Sequence, residues 1–246
     1  MKILLAPAET KRDGGCFSPY RKENFAFEEI FGIKDKIVHH YVEFIKNSSL
    51  EELSKWFALK NLKECEKYSE NILQKPTLKA ILRYTGVAFD ALDYENLDSS
   101  SQKYCDENII LFSNLFGAIK ASDLIPDYKF KQGAILESID VIKEYKTHTQ
   151  EFLDSYLDYE IVDLRAKYYE KFYKPNSKKN IITYNFLKDG KVVSHWAKYY
   201  RGLLVKELAK QNISNFTELL SLQIDGLELL EIQEKRNIRT LVMNIV

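Results

Sequence analysis

IITYNFLKDGKVVSHWAKYYRGLLVKELAKQ, from Ile181 to Gln211, is the stretch that decides the fold class. Ile181–Leu187 is built from β-branched and aromatic residues, which suit a pleated, half-buried strand. Asp189-Gly190 then supplies a two-residue turn signal, and Lys191–His195 returns as the second arm of a hairpin. From about Lys198 to Gln211 the apolar residues recur at helical spacing, so an amphipathic helix follows directly. A hairpin running into a helix excludes an all-α or an all-β chain.

Working outward, the same mixture recurs without a repeat. Lys2–Ala6 predicts a buried strand, and Pro7–Gly15 a polar loop ending in a glycine pair. Helices are expected over about Phe25–Lys46, Leu50–Leu59 (opened by a Ser49/Glu52 capping box), Lys63–Leu73 and Thr77–Tyr84. Gly86 breaks the pattern before a short helix, Val87–Leu92. Thr77–Leu92 therefore resembles a helix-hairpin-helix element with its glycine turn at Gly86, or else an ordinary helical corner. Asp98–Gln102 begins another turn. Strands are expected at Ile109–Phe112, Tyr128–Lys131 and Tyr159–Leu164. Helical spacing covers Leu115–Leu124, Lys143–Leu157 and Arg165–Tyr173. A further helix starts near Thr217, and Leu227–Ile232 with Ile238–Val246 reads as a terminal hairpin. The irregular order implies an α+β (irregular α/β) fold: a single domain over residues 1–246, with a mixed sheet and surrounding helices.

Composition narrows the class. Hydrophobic residues make up 45% of the 246, with 16 Tyr and 14 Phe, enough apolar material to build a core rather than a disordered chain. Apolar runs such as Ile3–Pro7 are strand-sized, so no membrane partner is expected, and the opening segment is too short for a signal peptide. Cys16, Cys65 and Cys105 are far apart, which supports neither a disulfide framework nor a zinc site. His39, His40, His148 and His195 show no metal-ligand spacing. The reading is a cytoplasmic protein with no metal and no cofactor; the first loop lacks both the dinucleotide and the Walker glycine spacing.

Charge is where function enters. The net charge is zero, yet Arg165–Lys210 holds twelve Lys/Arg against three acids, and Asp93–Asp163 holds fifteen acids against six Lys. A basic block attracts polyanions by counterion release, although a solvated surface has the same composition. Within the block, Lys198 and Arg201 are three apart on one helical face, a spacing that suits two phosphates or a carboxylate.

Three segments in order resemble the YaaA family of bacterial peroxide-stress proteins. Leu5-Ala6-Pro7-Ala8-Glu9-Thr10 resembles its opening S-P-A-K-T motif. Leu111–Ile119, continued through Asp123–Tyr128 to Gln132-Gly133, resembles its central L-S-G-L-Y-G block. Ala197-Lys198-Tyr199-Tyr200-Arg201-Gly202 resembles its A-K-x-A-R-G motif, and Tyr84-Thr85-Gly86 falls where the family has a Lys-Gly turn. The chain departs from the pattern at Glu9, where the family has Lys, at Ala6, where it has Ser, and at Arg165–Tyr169.

The resemblance implies a single domain of unusual topology with a positively charged cleft, DNA binding, and a role in limiting damage from peroxide and intracellular iron. The expected partner is double-stranded DNA or another nucleic acid. Phosphate contacts would come from Lys198, Arg201, Arg165, Lys79 and Arg83, with Gly202 beside them and backbone donors at Gly86. Pro7, Glu9, Lys11, Tyr128 and His195 form an expected pocket. Convergence of these groups in an enclosed pocket would favour the alternative, an enzyme acting on a nucleotide or a nucleic-acid base.

Overall fold

The computed structural model describes residues 1–246, Ser194 by its backbone alone. In chain order the elements are β1 (Lys2–Leu5), α1 (Phe31–Asn47), α2 (Leu50–Phe57), α3 (Leu62–Ser69), β2 (Thr77–Lys79), α4 (Ala80–Arg83), α5 (Val87–Leu92), α6 (Ser99–Asn108), β3 (Ile109–Ser113), β4 (Gly117–Lys120) and β5 (Leu124–Pro126). They continue with α7 (Val141–Tyr156), β6 (Glu160–Leu164), β7 (Asn180–Lys188), β8 (Lys191–Val192), α8 (Ser194–Lys210), α9 (Phe216–Leu220), β9 (Leu227–Lys235) and β10 (Ile238–Ile245).

A mixed sheet forms the frame, ordered β4-β3-β1-β6-β7-β10-β9, with β8 folded back on β7. The neighbours from β3 to β10 run parallel, and β4 and β9 close the two edges antiparallel. Consecutive residues Ile3, Leu4 and Leu5 of β1 are all buried, as are all five residues of β3. Both faces of the central strands are therefore covered, and such strands read as continuous apolar runs rather than alternating ones. The helices that cover them form groups, α8 against α5 and α6, and α1 against α7. The strand order reverses between β1 and β6: the chain leaving β1 works toward one edge, and the chain leaving β6 toward the other. In sheets of this kind the crevice beyond the carboxyl ends at that reversal is where ligands bind.

Several expected elements take another form. Leu115–Leu124 is no helix: it turns at Gly117 (φ 62°) into β4, which pairs back on β3. The turn is fixed from above, since the Tyr145 hydroxyl donates to the Leu115 carbonyl at 2.6 Å and the ring leaves no room for a side chain at 117. Thr77–Lys79 is a strand paired with Leu124–Pro126, not the start of a helix, because Thr77 also exchanges main-chain bonds with Phe17 and its hydroxyl donates to the Ser18 carbonyl. Thr77–Leu92 is thus neither a helix-hairpin-helix nor a plain helical corner but a three-residue strand, one helical turn and the short α5. Tyr128–Lys131 forms no strand and joins no ladder. Arg165–Tyr173 holds only a 3-10 turn at Tyr169–Phe172, since Arg165 is tied back to Asp163. The long first helix starts at Phe31 rather than Phe25; Phe25 and Phe27 enter the core from an extended segment whose Ala26 N–H donates to Asp123. Asp98 caps a full helix, α6, by accepting from the N–H groups of Ser100 and Ser101.

Candidate functional site

The loop after β1 starts the site. Leu5–Thr10 leaves the carboxyl end of β1 and is strapped to the segment before α5: the Thr85 N–H donates to the Thr10 carbonyl at 3.1 Å, and the Thr10 hydroxyl donates to the Thr85 carbonyl at 3.0 Å. Opposite lies the loop after β6, with Leu164, Ala166 and Tyr169. A cavity of about 450 Å³ opens between them at the reversal of strand order. Gly86 through Phe89, Gln132, Lys198 and Arg201 complete its wall.

α8 delivers the two cations. Ala197, Tyr200, Leu204 and Leu208 are buried, and the Tyr200 ring stacks on Phe186 with centroids 5.8 Å apart, which fixes the rotation of the helix. Lys198 and Arg201 are thereby turned toward the cavity. Gly202 does not face it. A Cβ on Gly202 would overlap the Ala88 carbonyl oxygen and come within 2.8 Å of its carbon and 3.0 Å of the Ala91 Cβ. Gly202 is therefore the point where α8 touches the backbone of α5, and it sets how far Arg201 stands from Gly86–Phe89.

The partners of each cation separate the expected contacts. Arg165 is 3% exposed; its guanidinium holds both oxygens of Asp163 (2.9 and 2.7 Å), donates to the Tyr173 carbonyl at 2.9 Å and lies over the Phe112 ring. Arg83 is wholly buried and spends its donors on the carbonyls of Ile125, Arg12 and Pro76. Lys79 is bound by Asp106 at 2.6 Å and the Tyr94 hydroxyl at 3.1 Å. None of these three offers a charge to a phosphate, because each is already satisfied inside the protein. Lys198 and Arg201 differ: among the described residues neither has a hydrogen-bonding or ion-pair partner. Burial pushes the Arg201 guanidinium pKa down, with the fields of Asp163 and Glu170 pulling the other way.

The expected pocket residues divide as well. Pro7 and Glu9 line the cavity, and Glu9 has no ion pair among the described residues. Lys11 turns the other way. Its ammonium lies 4.2 Å from the centre of the Tyr128 ring and donates to the Glu9 carbonyl, and burial lowers its pKa to about 7. Tyr128 is buried beneath the loop, its hydroxyl sharing hydrogen bonds with those of Tyr84 (2.8 Å) and Ser113 (2.7 Å). His195, in the first turn of α8, is exposed and outside the cavity wall. Sequence reasoning missed Thr85, Val87–Phe89, Gln132 and Tyr169. The main-chain stretch around Gly86 carried a signal in its glycine, whereas Gln132 carried none.

Such an arrangement has the charge and the shape to receive an anion. Two unpaired cations sit three residues apart on one helix, in a crevice that excludes part of the solvent and so strengthens their field. No group of three or more His, Cys, Asp or Glu stands ready to hold a metal among the described residues, and none of the described helices is long and apolar enough to cross a membrane.

Residues 1–233 match the sequence profile of a family described as "Peroxide stress protein YaaA". An uncharacterised protein of Campylobacter jejuni is 45% identical over the whole of both chains. A UPF0246 protein of Corynebacterium efficiens is 30% identical over 85% of each chain, and one of Fusobacterium nucleatum 26% identical over 92% of each.

Proposed function

The chain belongs to the peroxide stress protein YaaA family, and from that premise we propose that it serves the peroxide stress response by binding DNA through the phosphate backbone, so limiting damage by peroxide and iron. The observation that carries the reading is the unpaired state of Lys198 and Arg201, among the described residues, on the crevice wall, whereas Arg165, Arg83 and Lys79 lie outside that wall with their donors spent on internal partners. Arg201 is half-buried, and a half-buried cation without an ion-pair partner is costly, a cost that an incoming phosphate removes; Lys198 is exposed and adds its charge from the rim. Two phosphate contacts position a strand without reading its sequence, so binding is weakly sequence-dependent and salt-sensitive. The test is a fluorescence-anisotropy titration of short duplexes across a salt series. Each of Lys198→Gln and Arg201→Gln is expected to lower the slope of log affinity against log salt by about one. Variants with unchanged affinity and slope would remove the reading.

A second reading, an enzyme acting on a nucleotide or a nucleic-acid base, is favoured by one feature: Glu9 stands unpaired in the same crevice as the two cations. An acid/base role for it predicts turnover that Glu9→Gln abolishes while binding is kept. Chromatography of nucleotides and oligonucleotides incubated with the protein decides between them; unchanged substrates leave the binding reading alone.

A further inference from the structure

Each edge of a sheet presents unpaired N–H and C=O groups that a protein covers, blunts or pairs. At one edge β4 is four residues long and largely buried, and the Lys34 ammonium donates to its Ala118 carbonyl at 3.1 Å. At the other edge β9 runs for nine residues with neither Pro nor Gly, pairs with β10 on one side only, and is exposed from Glu228 to Lys235. Leu229 and Ile232 stand opposite Met243 and Leu241 of β10, so one face of β9 carries the apolar face of the sheet out into solvent. Leu229, Leu230 and Ile232 are all exposed, Leu230 at 55%. The ladder slips at Leu230, a bulge that leaves Glu231–Lys235 as the regular stretch. On its other face that stretch carries Glu231 and Lys235, and neither has an ion-pair partner among the described residues. Glu234, by contrast, is paired with Arg239 at 3.1 Å.

The stretch is complementary to itself. When two copies of a strand pair antiparallel about a two-fold axis, the residue on the axis faces its own copy and so fixes the register. With Glu231, Glu234 or Lys235 on the axis a charge meets itself; with Ile232 there, neither Glu231 nor Lys235 meets an opposite charge. With Gln233 on the axis, Glu231 of each copy stands opposite Lys235 of the other and Ile232 opposite Glu234, while the two Ile232 side chains are diagonal neighbours on the apolar face. We propose that β9 is the interface for a second copy of this chain, joined antiparallel about Gln233 so that the two sheets continue as one. A second copy is the occupant because the strand itself supplies both halves of each ion pair. The DNA reading plays no part in this assignment.

Sedimentation velocity of the full-length protein, from about 1 to about 200 μM, is expected to show a monomer–dimer equilibrium that shifts with concentration. Lys235→Glu alone and Glu231→Lys alone each set like charges opposite one another twice per dimer, and each is expected to weaken the dimer at least about tenfold. Glu231→Lys combined with Lys235→Glu exchanges the two charges and is expected to restore it. Both positions are exposed, and recovery in the double variant separates lost pairing from lost folding. The axis is read independently. With the exposed Cys16 changed to Ser, Gln233→Cys is expected to be joined to its own copy by a short bismaleimide, because directly opposed Cβ atoms lie about 4.5–5.5 Å apart, whereas Glu228→Cys, beyond the paired stretch, is not. A protein that stays monomeric over the whole range overturns the proposal. So does a dimer that ignores both single charge changes, one that the double variant fails to restore, or one that is not linked at position 233.

Discussion

Replacing Gly202 with Ala tests the idea that one helix contact sets the shape of the anion crevice. The added methyl would overlap the Ala88 carbonyl oxygen and stand 2.8 Å from the carbonyl carbon and 3.0 Å from the Ala91 Cβ. Carbon atoms settle near 3.5–4.0 Å, so α8 must retreat from α5 by roughly 1 Å or tilt about Gly202. The obstacle is backbone on a neighbouring helix and no rotamer change can relieve it. The cost therefore belongs at the upper end of overpacking, about 2–3 kcal/mol. For a chain of this size that corresponds to a fall in Tm of roughly 5–10 °C. The displaced helix carries Lys198 and Arg201, so anion affinity is expected to fall about tenfold, on the order of 1.4 kcal/mol, although no charge has been removed. Thermal unfolding followed by circular dichroism and a DNA titration at one salt concentration supply the two readouts. A variant that melts within about 1 °C of wild type would show that α5 and α8 have slack at this point, and would refute the claim that Gly202 spaces the site.

Two further substitutions and a pH series separate structural charges from binding charges. Arg165→Gln breaks a buried pair and strands Asp163; about 3–5 kcal/mol of stability should be lost in urea unfolding, and a selective loss of DNA binding at unchanged stability would contradict the internal role assigned to it. Lys34 is fully buried on the carbonyls of Phe116 and Ala118, and burial lowers its pKa to about 7. Between pH 7 and the unfolded value of about 10.5 the unfolded chain binds the extra proton, so stability should rise with pH across that window, by at most about 1.4 kcal/mol per unit. Lys11, also lowered to about 7, acts in the same direction. Lys34→Met should flatten the rise seen in urea titrations from pH 7 to 9; an equal slope in the variant would place the proton uptake elsewhere.

Local period made much of the frame legible. The Asp189-Gly190 hairpin, the terminal hairpin, α7, β1 and β3 all follow from residues a few positions apart. Elements that depend on distant partners were not legible. Thr77–Lys79 and Leu124–Pro126 are three-residue strands that exist because they meet each other, and a three-residue segment has no period to detect. Leu115–Leu124 has enough apolar residues for a helix, and it is Tyr145, thirty residues beyond Leu115, that favours a hairpin by bonding the Leu115 carbonyl and closing over Gly117. The same holds at the site. Sequence shows that Arg165, Arg83 and Lys79 are cations, but whether a cation is spent depends on the rotamer that turns Arg165 back onto its near neighbour Asp163, and on carbonyls and Asp106 that only folding brings near Arg83 and Lys79. Lys198 and Arg201 could be singled out because their spacing and the small residues flanking them are local.

The crevice wall draws on residues 5–10, 85–89, 132, 164–169 and 198–201, segments spread over nearly two hundred positions of chain. An anion that bridges them is therefore coupled to the docking of almost every layer at once. Its binding energy enters the global unfolding equilibrium rather than the motion of any one loop, as RT ln(1 + [L]/Kd) for a ligand that sees only the native state. Hydrogen exchange should register this as a common rise in protection over β1, β6 and α8. A nascent chain that has not yet released α8 from the ribosome lacks both Lys198 and Arg201, so on the anion reading the site is assembled late in synthesis, ahead of only α9, β9 and β10.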